Sequence, residues 1–146
     1  MNRFLVFLCL LASFFSSGVV RADTIFLAVE QNNLPLVRSL IQAEGTLINA
    51  RDSDGWTPLA YAARFGRREI AAFLLAKGAK VGSADQEGFT PLHQAASYGH
   101  VELIRLLLDK GAPVNALSVG RVTALRLARS NGHKKAFHAL KDRGGV

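Results

Sequence analysis

Apolar side chains follow two different patterns along the chain. Residues 4–15 are an almost unbroken apolar run, whereas from residue 25 onward apolar positions recur at helical spacing. Leu59, Ala62 and Ala63 form one narrow stripe, and Ile70, Phe73, Leu74 and Leu75 form the next, answered later by Leu103, Leu106, Leu107 and Leu108. Gly66 and Gly99 separate the two stripes of a pair, and Gly78 and Gly111 close it. Thr57-Pro58-Leu59, Thr90-Pro91-Leu92 and Thr123-Ala124-Leu125 open equivalent stripes 33 residues apart. Threonine suits a helix N-cap, where its hydroxyl accepts from an unpaired N–H, and proline suits the first helical position. Fixed self-similarity at this period predicts stacked helix-turn-helix units.

The outer copies are weaker. Residues 25–29 and 36–41 repeat the two-stripe pattern at an offset of 34, one residue being gained near Glu44-Gly45. Asn32-Asn33 stands where glycine is expected, and Asn also tolerates the left-handed conformation. Leu125, Leu127 and Ala128, then Ala136, Phe137 and Leu140, keep the register at the other end among many lysines and arginines. Four repeats are expected, at about 23–51, 52–84, 85–117 and 118–146, two regular ones inside two caps.

The opening run is of another kind. Arg3 precedes it, Ser16, Ser17 and Gly18 follow it, and Val20-Arg21-Ala22 places small or β-branched residues before Asp23. This pattern predicts a secretory signal peptide at 1–22, cut after Ala22. Residues 4–15 are too few to span a hydrocarbon core, which takes about 20 residues. Cys9, the single cysteine, lies inside the run and too early for a lipoprotein acceptor. The expected mature chain, 23–146, therefore has no thiol chemistry and no disulfide. An exported, cysteine-free chain points to a bacterial periplasm first and the extracellular space second.

The two central repeats resemble the ankyrin repeat, whose Thr-Pro-Leu-His-x-Ala core stands here as Thr90-Pro91-Leu92-His93-Gln94-Ala95. The resemblance extends over 23–146 with degenerate outer copies. It implies an all-α ankyrin-repeat solenoid, with a β-turn finger at each Asp-x-x-Gly and a concave face of finger tips and inner helices. It also implies structural duties for His93, His100 and His133, which occupy recurring positions. His138 is a lone histidine on the last helix, and no metal-ligand spacing is present. Asp52, Asp54, Asp85 and Glu87 fall on the fingers and read as turn residues rather than acid–base pairs. No nucleophile elbow or phosphate loop appears, so no enzyme, no metal and no cofactor are expected.

What remains is a surface. The concave positions are Ser53, Asp54 and Trp56, then Gln86, Glu87 and Phe89 on the fingers. On the inner helices they are Arg64 and Phe65, Ser97 and Tyr98, and Ser130 and Asn131. Stacking is expected to set Trp56 over Phe89 and Phe65 over Tyr98 in two short ladders beside Arg64, the residue types most often found as interface hot spots. The formal charge of +7 falls to +5 for 23–146, and residues 121–146 alone hold +6. Arg121, Arg126, Arg129, Lys134, Lys135, Lys141 and Arg143 thus make a basic cap, open to an acidic partner or an anionic surface but also readable as a solvated face.

The resemblance implies a non-catalytic module that binds another protein, expected as a monomer. Export argues against nucleic acid despite the charge, and after cleavage no remaining segment is long and apolar enough to span a membrane. Accessory proteins and inhibitors of periplasmic enzymes, such as catalase-supporting proteins or inhibitors of cell-wall hydrolases, are the kinds the resemblance brings forward. A secreted effector or envelope-surface adaptor is the alternative.

Overall fold

The computed structural model describes residues 18–146. The apolar run, and most of the expected signal peptide with it, lies outside the described residues. Helix α1 (Gly18–Glu30) pairs with α2 (Leu34–Ala43), and a short 3-10 helix (Gly45–Asn49) follows. Next come α3 (Pro58–Arg64) with α4 (Arg68–Ala76), α5 (Pro91–Ser97) with α6 (Val101–Asp109), and α7 (Ala124–Ser130) with α8 (Lys134–Lys141). Among the described residues there is no β-strand.

The helix starts are those the sequence predicts, and for the predicted reason. The hydroxyls of Thr57, Thr90 and Thr123 accept from the N–H groups of Ala60, His93 and Arg126, and Pro58 and Pro91 open their helices. Asn33 caps α2 in the same way, its side chain accepting from Leu36. Asn32, with φ of 57°, adopts the left-handed turn that its position requires.

Small residues let the first helices of successive repeats approach. Ala62, Ala63, Ala95, Ala96 and Ala128 are fully buried, and α3 and α7 pack on either side of α5. The second helices contribute the larger apolar groups, with Ile70, Ala71 and Leu74 buried in α4 and Leu103, Ile104, Leu107 and Leu108 in α6. Three expected core residues, Phe73, Leu75 and Leu106, lie off that line. All three are only partly buried, because a 3.6-residue turn carries them to the flanks, and Phe73 there lies 4.7 Å below the Arg38 guanidinium. A fully buried Leu or Ile such as Leu74 contributes roughly 1.5–3 kcal/mol through removal of its surface from water.

At the N-terminal end, α1 is continuous across the expected cut between Ala22 and Asp23. Ile25, Phe26, Ala28 and Val29, which follow that position, are buried. The residue gained in the first repeat is taken up by the 3-10 helix, which buries Leu47.

Candidate functional site

The loops at residues 52–56, 85–89 and 118–122 are equivalent turns built by one hydrogen-bonding device. A side-chain oxygen of Asp52, Asp85 or Ser118 accepts from the backbone N–H four residues on, at Trp56, Phe89 or Val122. The loops then bond to one another: Gln86 N–H donates to the Asp54 carbonyl and Val119 N–H to the Glu87 carbonyl. Arg51 locks the first loop to the second by donating to the carbonyls of Gly55 and Ala84, each at 2.7 Å. A row of fingers results, standing over the first helices of the repeats.

Between fingers and helices runs a groove of about 480 Å³. Its finger side is formed by Asp54, Trp56, Asp85, Gln86, Glu87 and Phe89, and its helix side by Arg64, His93, Gln94, Ser97, Tyr98 and Leu127. The Arg64 guanidinium lies 5.1 Å from the Trp56 ring, 5.4 Å from Tyr98 and 5.7 Å from Phe65. A cation over ring faces is attracted by the ring quadrupoles, so these three aromatics hold the arginine in place.

This arrangement corrects the expectation of two aromatic ladders. Among the described residues no ring contact joins Trp56 to Phe89 or Phe65 to Tyr98. Arg64 occupies the space between repeats instead, while Trp56 meets Tyr61 edge-on at 5.7 Å and Phe89 meets His93 edge-on at 5.5 Å. Phe65 packs on Tyr61 and faces a separate hollow with Glu30, Asp52 and Trp56 rather than the groove. Repeat spacing put these residues at equivalent positions, but it carried no information about which side chain fills the interval between them.

Two other expected contact residues are engaged within the scaffold. Gln86 donates its amide to the Ser53 carbonyl at 2.8 Å, and Ser97 receives Asn131 on its carbonyl and hydroxyl and His133 on its carbonyl. Ser53 is exposed at the tip but outside the groove, whereas Asp54 and Glu87 are exposed carboxylates on its rim. Gln94 and Leu127 were not singled out from the sequence. Gln94 stands at the variable place in Thr-Pro-Leu-His-x-Ala, and a polar residue between buried neighbours was the available signal.

A family scan matches ankyrin repeats (three copies) to residues 18–85 and again to residues 78–145. The chain belongs to the ankyrin-repeat family. No curated protein matches it. Ankyrin repeats are generally protein–protein interaction modules, and the family is typically non-catalytic. The hydrogen-bonded fingers, the short inner helices and the groove between them are this chain's version of that ankyrin surface.

The ankyrin histidines do their work inside the stack. His93 accepts from Thr90 N–H through Nδ1, which leaves Nε2 to donate to the Val122 carbonyl at 2.9 Å in the next repeat. Burial pushes its pKa below the ordinary value, against the pull of the Val122 and Ala116 carbonyls and the Asp85 charge. His100 and His133 bond through Nε2 to the carbonyls of Arg64 and Ser97 in the preceding repeats, at 2.9 Å each. Asp52 is likewise spent on structure, with Oδ1 accepting from Asp54 and Trp56 N–H and Oδ2 from the Tyr61 hydroxyl. Burial, then the bond to and charge of Asp52, push the Tyr61 phenol up to about 12. Among the described residues no three His, Cys, Asp or Glu side chains gather as a metal site, and no helix is long and apolar enough to cross a membrane.

Proposed function

We propose that this protein is an exported, non-catalytic binding module whose ankyrin groove engages another protein in the periplasm, as an accessory factor or inhibitor of a periplasmic enzyme. The observation that carries the binding site is the groove itself. It exposes Tyr98 and ring-held Arg64 beside free carboxylates at Asp54 and Glu87, a mixture of aromatic and charged groups that suits a protein contact. Export rests on the residue pattern of 1–22, and cleavage after Ala22 keeps the buried Ile25, Ala28 and Val29 in the mature chain.

Two measurements test this reading. Fractionation of cells expressing the chain is expected to recover a species beginning at Asp23 in the periplasm; recovery of the uncut chain in the cytoplasm alone defeats the export reading. Titration of the purified protein against a panel of cell-wall hydrolases is expected to reduce the activity of one of them stoichiometrically. No loss across the panel at excess removes the hydrolase-inhibitor version.

The basic cap favours a second reading, an adaptor at the envelope surface. Its seven Lys and Arg side chains are all exposed, and among the described residues one of them, Arg143, forms an ion pair, with Asp109 at 2.8 Å. Recovery with sedimented envelopes, released by salt, is the outcome that selects this reading.

A further inference from the structure

The floor of the groove differs chemically from its rim. Gln94 is 8 % exposed and lines the groove, yet its side-chain amide makes no hydrogen bond among the described residues. The amide atoms are not sealed from solvent, so they open onto the groove, where water or a polar group of an entering partner takes their hydrogen bonds. Arg64 is in the same condition. Its backbone carbonyl accepts from His100, but its guanidinium makes no hydrogen bond or ion pair among the described residues and is held by rings alone. Two donor groups therefore face one space with their capacity unused.

The rim has the opposite character. Asp54 and Glu87 are exposed carboxylates, and Asp85 lies between them with Oδ1 already accepting from two N–H groups. With Arg64 as its single cation, the lining carries a formal charge of −2 with His93 neutral. A doubly charged phosphate would meet this rim unfavourably. One carboxylate set into the floor and flanked by cations at the rim matches both parts. The planar guanidinium, with parallel N–H donors, suits a carboxylate in particular.

We propose that the groove seats one Asp or Glu side chain from a loop of the partner protein, taken by the Arg64 guanidinium and the Gln94 amide N–H, with a Lys or Arg beside it in the partner meeting Asp54 and Glu87. This rests on the concave-face reading above and narrows it to a partner motif. Trp56 and Tyr98 flank the acid's aliphatic stem. Trp56 is the single tryptophan of the chain and lies against Arg64, so its fluorescence reports occupancy of this position directly.

The test uses a random dodecapeptide library displayed on phage and selected on the purified protein. Enriched peptides are counter-screened on the folded Trp56→Ala/Tyr98→Ala double variant. The expected result is a set of groove-dependent peptides that share an Asp or Glu next to a Lys or Arg. Changing that acid to its amide is expected to weaken binding, followed by Trp56 fluorescence, by at least about tenfold on the wild type. The same change is expected to have less than about a twofold effect on Arg64→Gln, as for two halves of one interaction. Arg64→Lys, which keeps the charge and loses the fork, is expected to fall between and serves if Arg64→Gln does not fold. Groove-dependent peptides without a shared acid overturn the carboxylate proposal, as does an equal amide effect on wild type and variant. Peptides that bind the double variant as tightly as the wild type, or no enrichment at all, count against the concave-face reading itself.

Discussion

His93 is held by the fold in its neutral form, clasped between Thr90 and the Val122 carbonyl, and this makes it a source of pH dependence. Its folded pKa lies below the unfolded value of about 6.5, so in the interval between them the unfolded chain binds more protons. The contribution of His93 is complete above the unfolded value and is lost as pH falls through the folded one. Urea unfolding at pH 7 and pH 5 is expected to show a larger loss for the wild type than for His93→Gln; equal losses contradict the assignment. Arg121 offers a second check at this scale. It stands where the first two fingers have Gly55 and Gly88, and it takes φ of 56° without glycine's freedom. Arg121→Gly is expected to raise stability by about 0.5–1 kcal/mol, the relieved backbone strain exceeding the entropy gained by the unfolded chain. Gly88→Ala goes the other way, since its Cβ would stand 2.9 Å from Val119 N; a thermal melt distinguishes the two signs. His100 and His133 recur, and the scaffold role of all three histidines was what the resemblance to the ankyrin repeat implied. That Gln86 and Ser97 also bond within the scaffold was not legible, because a period records position and not which neighbouring amide reaches it.

The second, third and fourth helix pairs are each started by a threonine cap and ended by a glycine with positive φ, and these short-range signals survive in a single sequence. That is why the helix starts at Pro58, Pro91 and Ala124 were legible to the residue. The caps are not equal. Thr90 is buried and shares a capping box with His93, while Thr123 caps a terminal helix and is only partly buried. Thr90→Ala is expected to cost about 1–2 kcal/mol and Thr123→Ala about half as much, measured by chemical denaturation. The order of the two is the informative result, and a reversed order would contradict the inequality. The 3-10 helix Gly45–Asn49 shows the limit of legibility at this scale. One gained residue was visible in the spacing, but the conformation that absorbs it depends on how Leu47 packs, which is a tertiary matter.

Along the whole molecule the stack has three regions of distinct character. The first repeat closes one end over the buried Ile25, Val29 and Val37, the two regular repeats supply most of the groove, and the last supplies most of the net positive charge. Charge and fold were legible because composition and period are summed over many residues. The groove was legible as a face and not as a site, since its floor is made by Arg64 crossing toward Tyr98 and by Gln94 with an unspent amide, both consequences of packing between repeats. The central claim is that this face meets a partner protein. Quantitative affinity capture from extracts of the producing cells, with wild type and with the Trp56→Ala/Tyr98→Ala double variant at matched melting temperature, tests it most directly. The predicted result is a partner enriched by the wild type and lost with the double variant. Capture of the same protein at the same yield by both forms would contradict the account.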